Sequence, residues 1–161
     1  MIEVVVDDEL EASFSAPDGI DRAVLMACEV AGFSAQKPEL CIRFAADAAV
    51  QELNATWRSK DCVTDVLSFP MQEAPGFDFS ESLGDIALAV PFILNEADRL
   101  NLSQDDHILH LIVHATLHLL GFDHIDDDDA DEMQTLERQV MSKIGLHDPY
   151  PAEVKDSPES I

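Results

Sequence analysis

The stretch HATLHLLGFDH, residues 114–124, constrains this chain more tightly than any other part of it. His114 and His118 are four apart, so on a helix they stack on one face. Gly121 offers the left-handed residue that ends such a helix, and the turn lets His124 close on the same point in space. Three neutral imidazoles placed in this way can hold a divalent metal and leave one coordination position open. His107 and His110 extend the stripe upstream, yet helical rise separates His110 from His118 by roughly 12 Å, too far for one coordination sphere. Because the turn and His124 lie beyond His118, the expected ligands are His114, His118 and His124 rather than the pair His110 and His114. His110 is then a supporting or packing residue, His107 near the first turn is expected to be exposed, and His147 receives no role.

The same ligand and glycine spacings occur in the zinc-peptidase pattern H-E-x-x-H-x-x-G-x-x-H. Ala115 stands where that pattern has glutamate, the base that takes a proton from water. Ordinary peptide hydrolysis therefore becomes the lesser reading. Asp123, beside His124, is a candidate to orient a ligand imidazole or a water.

Composition narrows the remaining choices. A chain of 161 residues with 47% hydrophobic residues is expected to form one domain with a real core. A net charge of −24 argues against broad nucleic-acid affinity, so any RNA contact must rest on a local site. Cys28, Cys41 and Cys62 are odd in number and form no CxxC, which reads as reduced core thiols in a cytoplasmic protein. MIEVVVDDEL has no basic segment or cleavage site of a secretory signal, and the histidines interrupt the longest apolar stretch, so no membrane span is expected.

Along the chain, IEVVV reads as a strand, with a second extended piece around Ala12 to Phe14. Ile20, Val24, Leu25, Cys28 and Ala31 recur at helical spacing over Asp18–Ala31, with Gly32 as the stop. ELCIRFA alternates Leu40, Ile42 and Phe44 as a strand does. Asp47 is expected to cap a helix carrying Val50, Leu53 and Trp57, with Trp57 in the core rather than stacking a base. VLSFP and GDIALAV read as strands on either side of the turn-rich QEAPGFDFSESLG. Pro91 opens a helix to about Leu100, and Ser103 with Asp106 caps the histidine helix. DDDDADE leads into a last helix, capped by Asp129, on which Met133, Leu136, Val140 and Ile144 share a face. The expected fold is α+β: a small mixed four-stranded sheet packed with about five helices. Residues 1–148 form the domain and 149–161 a disordered acidic tail.

At the level of motifs, the chain resembles the YbeY family. HATLHLLGFDH is similar to the family's HGxLHLxGxDH, with Ala115 in place of the usual glycine. LNATWRSKDCVTDVLSFP at 53–70 resembles LNxxYRxxDxPTDVLSFP, LGDIALAV at 83–90 resembles its GDI strand, and His110-Leu111, Met133 and Glu137 also fit. The resemblance implies a zincin-like core and a metal-dependent endoribonuclease acting on single-stranded RNA. It further implies work on the small-subunit ribosomal RNA 3′ end and in ribosome quality control. It implies His114, His118 and His124 as ligands of one Zn²⁺, and Arg58, with Lys60 nearby, as the basic residues that meet substrate. On chemical grounds a bidentate guanidinium suits a phosphodiester that gathers charge, and a metal-activated water is the expected nucleophile. Thr64, Asp65 and Ser68 could bond the loop or the RNA backbone. Expected partners are single-stranded RNA, the small ribosomal subunit and a ribosome-associated GTPase that delivers the substrate. The alternatives are a zinc peptidase-like hydrolase and a non-catalytic ribosome-assembly factor with a structural ion.

Overall fold

The computed structural model describes residues 1–33, 36–73, 76–123 and 126–150. In chain order its elements are β1 (Ile2–Val6), a 3-10 turn (Asp8–Leu10), α1 (Ile20–Val30), β2 (Glu39–Ala45), α2 (Asp47–Arg58), β3 (Val66–Pro70), β4 (Ser82–Ala89), α3 (Val90–Leu100), α4 (Gln104–Leu119) and α5 (Asp127–Lys143). The strands form one sheet in the order β1-β2-β4-β3, parallel across its first two pairings and antiparallel between β3 and β4. The expected α+β class is therefore what the chain adopts, with five α-helices and a mixed four-stranded sheet among the described residues.

Alternation along the strands decides which helix covers which face. Leu40, Ile42 and Phe44 of β2 join Leu83, Ile86 and Leu88 of β4 in the main core, against α1, α4 and α5. The opposite face carries a smaller cluster, Ala45, Leu67 and Ala89, covered by Val50 of α2. α3 serves both: Ile93 enters the main core, while Phe92 packs on the smaller one.

Gly84 governs how closely α4 approaches this sheet. Its φ is +144°, and a Cβ there would lie 2.3 Å from the Phe69 carbonyl and 2.8 Å from Cδ2 of Leu119. Only a residue without a side chain lets β3, β4 and the last turn of α4 meet at that spacing.

Several local expectations are corrected. Residues 11–13 form a turn after the 3-10 segment, not an extended piece. Ala46, not Asp47, is the N-cap of α2; the Asp47 carboxylate instead accepts from the Phe92 amide at 3.0 Å, tying α2 to α3. α5 is capped by Asp126, which accepts from the Asp129 amide at 2.8 Å, so Asp129 belongs to the first turn. Trp57 is 67% exposed rather than a core anchor, because the stripe begun by Val50 runs out of sheet to cover it. Of the three thiols only Cys28 is buried, and burial pushes it up to about 12; Cys41 is half-buried and Cys62 exposed. No described helix is long and apolar enough to cross a membrane.

Candidate active site

Ser103 starts α4 as expected, its hydroxyl accepting from the Asp106 amide, and Gly121, at φ +96°, ends it. The apolar residues of α4, among them Ile108, Ile112, Ala115 and Leu119, are buried against the sheet and α1. The histidine stripe faces the other way, into a cleft of about 730 Å³ whose far wall is β3 and the loop before it.

The four rings of that stripe are not equivalent. His107 was expected to be exposed and is instead only 5% exposed, with Nε2 2.7 Å from Glu96 Oε1 on α3. The first turn of α4 is covered by α3, which its position in sequence does not reveal. His110 Nε2 lies 2.8 Å from Glu137 Oε1, and His114 Nδ1 lies 3.1 Å from the same oxygen. His118 Nε2 stands 3.1 Å from His114 Nε2, and His118 Nδ1 is 3.9 Å from Asp123 Oδ1. Asp123 thus sits beside a proposed ligand, as its neighbourhood to His124 suggested.

Glu137 is the residue whose role the sequence alone does not reveal. It comes from α5, is 1% exposed, and gathers His110 and His114 on one carboxylate. Burial pushes this carboxyl up, but the two imidazoles outweigh it and hold it near 2. Its traces in sequence are its family-like spacing after the histidine motif and its place beside Met133 and Val140 on the buried face of the last helix.

The residues present fit a zinc ion as far as they are described. Two nitrogens bound to one tetrahedral zinc at their usual bond lengths stand about 3.3 Å apart, close to the 3.1 Å between the His114 and His118 Nε2 atoms. Glu137 engages the opposite ring nitrogen of His114, the arrangement that directs Nε2 toward a metal. The third expected ligand, His124, lies outside the described residues, and among those described no group of three metal-ligating side chains converges.

Arg58 reaches the cleft from the end of α2. Its Nη2 donates to the Ser68 carbonyl, and its guanidinium lies 5.5 Å from the Phe69 ring centroid. Ser68 Oγ in turn donates to the Ala115 carbonyl at 3.4 Å, so a short chain of contacts fixes Arg58 relative to the histidine helix. Arg58 is the one Lys or Arg among the described residues lining the cleft, where Asp65, Glu96 and Asp123 supply negative charge. Lys60 is exposed just past Ser59, the left-handed residue ending α2, and is not part of the lining. Thr64, Asp65 and Ser68 do line it, although Asp65 Oδ1 is taken up by the Val66 amide at 2.7 Å.

Comparison with known proteins gives the family. Residues 7–145 match the family described as Endoribonuclease YbeY. The Endoribonuclease YbeY of Azorhizobium caulinodans is 41% identical over 159 residues, covering 94% of this chain and 98% of that protein. The protein of the same name from Sinorhizobium fredii is 39% identical and covers 89% of this chain and 84% of its own length. That of Stutzerimonas stutzeri is 45% identical over 76% of this chain and 74% of its own. The solution structure of TM1509 from Thermotoga maritima has the same fold, with a TM-score of 0.55 at 19% identity over 94% of this chain and 99% of that one.

Proposed function

This chain belongs to the YbeY endoribonuclease family, and we propose that it is a zinc-dependent, single-strand-specific endoribonuclease of ribosomal RNA maturation, with the cleft between α4 and β3 as its active site. The observation that carries the reading is one juxtaposition: the Nε2 atoms of His114 and His118, 3.1 Å apart, share a cleft with the single lining guanidinium, Arg58.

His114, His118 and His124 would hold the ion on a zincin-like helix. When bound, zinc supplies Lewis acidity toward a phosphate oxygen and acidity to water. The protein's own residues do the rest. Glu137 holds His114, and Asp123 stands beside His118, so both rings keep their edges turned to the cleft. Arg58 commits one donor to Ser68, which fixes the plane of the guanidinium. The remaining donors of the fork meet a phosphodiester and stabilise the charge it gathers as its bond breaks. Lys60, outside the lining, contacts flanking phosphates.

A peptidase would have to find a base other than residue 115. Ala115 has no exposed surface and packs in the core, which disfavours that alternative. With a net charge of −24, most of the surface repels RNA, so delivery by the small ribosomal subunit or an associated GTPase belongs to the same reading, as do a cytoplasmic location and a single domain, expected over residues 1–148 and reaching Tyr150, which lines the cleft.

The test is cleavage of a labelled single-stranded RNA, beside its duplex, by the zinc-loaded chain and by Arg58→Ala. Single-strand cleavage that falls about 10²–10³-fold in the variant is expected. Equal cleavage by both proteins, or none by zinc-loaded wild type even with small subunits added, overturns the reading.

A further inference from the structure

The Glu137 carboxylate is held from two directions. His110 and His114, both on α4, meet Oε1 at 2.8 and 3.1 Å. From the segment after α5 the Tyr150 hydroxyl lies 3.1 Å from Oε1 and 3.1 Å from Oε2. Tyr150 lies past the end of α5 and outside residues 7–145, the part that matches the family.

The tyrosine is itself anchored. Arg138, one residue after Glu137, donates through Nη2 to the Tyr150 carbonyl and lies 5.9 Å from the ring centroid. Asp148 Oδ1 accepts from Arg138 Nε at 3.3 Å and from the Tyr150 amide at 2.8 Å. The ring stands edge-on to His110, with centroids 5.9 Å apart. A chain segment with no helix of its own is thereby folded back onto the cleft that it lines.

The final torsion of a glutamate is soft, so two bonds to a single oxygen leave the carboxylate plane poorly defined. Oε2 accepts from the Tyr150 hydroxyl, and Glu137 is only 1% exposed. We propose that Tyr150 is a positioning residue of the active site: by bonding both oxygens of Glu137 it sets the carboxylate plane, keeps the His114 proton on Nδ1, and so leaves His114 Nε2 facing His118 to bind a divalent cation. The inference rests on the reading of His114 and His118 as ligands. It adds the segment after α5 to the residues on which metal affinity depends.

The test compares full-length wild type with Tyr150→Phe, which keeps the ring against His110 and removes only the hydroxyl. Zinc affinity is measured by chelator competition, and the His114 tautomer by ¹⁵N chemical shifts of the ring. The expected result is a folded variant with about tenfold weaker zinc binding and a mixed His114 tautomer. Zinc affinity within about twofold of wild type, with the tautomer unchanged, overturns the proposal, because a purely structural role resides in the ring. Should Tyr150→Phe fail to fold, Arg138→Met loosens the same segment without touching the hydroxyl. That variant is expected to weaken zinc in the same direction, and wild-type affinity there overturns the proposal. The readout needs no RNA: a wild type that binds zinc but cleaves nothing overturns the nuclease reading and leaves Tyr150 in its role. A wild type that binds no zinc overturns both.

Discussion

The two ends of one histidine stripe behave differently although residue type, helix and face are the same. At the upper end His107 and His110 are committed to carboxylates brought by α3 and α5, and their side chains are only 6% and 12% exposed. At the lower end His114 and His118 are 22% and 20% exposed and turn their Nε2 atoms toward each other. The difference comes from what packs against each turn. α3 and its Glu96 close over the first turn, while the last turn rests on Gly84 and leaves its other side to the cleft. His107 meets Glu96, whereas His114 meets Glu137 through Nδ1 and turns its other ring nitrogen to His118, so on the reading proposed above the lower pair is the one placed to hold a metal.

The comparison breaks if the two ends respond alike to truncation. His118→Ala is expected to weaken zinc by more than about a thousandfold, whereas His107→Ala leaves zinc affinity within a few-fold. The cost of His107→Ala falls on stability, about 1–3 kcal/mol for leaving Glu96 without its partner. Chelator competition and urea unfolding on both variants read the two effects separately. Equal zinc loss at both positions would mean that the stripe acts as a unit.

Gly84→Ala sharpens the comparison from the sheet side. With a Cβ 2.3 Å from the Phe69 carbonyl, β3 and the last turn of α4 must separate, at a cost of more than about 3 kcal/mol. The lower end should lose zinc affinity along with stability, while the His107–Glu96 pair persists, as the ring proton signals of His107 would report. Loss of that pair in a protein that stays folded would show that the two ends are mechanically coupled.

A smaller effect than at His118 is expected at the residue that joins the ends. Glu137→Gln keeps the shape and removes the charge shared by His110 and His114, and zinc affinity should fall about 10–100-fold. A change confined to stability, with zinc binding intact, would assign Glu137 to the core rather than to the site.

Much of this was legible from local pattern. The strands, the helices, the Ser103 cap and the Gly121 turn follow from periodicity and from backbone demands that a few neighbouring residues satisfy. Two expectations failed locally, at the α5 cap, which is Asp126, and at the turn over residues 11–13; others turned on what packs from elsewhere in the chain. Trp57 has core spacing but no sheet beneath it, His107 has a surface position but α3 above it, and Asp47 gives up its capping role to Phe92. Lys60, expected with Arg58 from the family resemblance, is exposed just past the left-handed Ser59 and is not among the residues lining the cleft.

By itself the sequence determined that His114 and His118 share a helical face, because a four-residue step is a property of the helix and needs no other part of the chain. The same holds for the absence of a peptidase base at Ala115 and for the presence of Arg58 in a recognisable block. Only the tertiary structure decided which nitrogen of His114 faces the cleft. Glu137 lies 23 residues downstream of it and Tyr150 another 13 beyond. No periodicity links positions so far apart. They meet because α5 must bury its apolar face against α1 and α4, and that packing carries a carboxylate to the back of the imidazole.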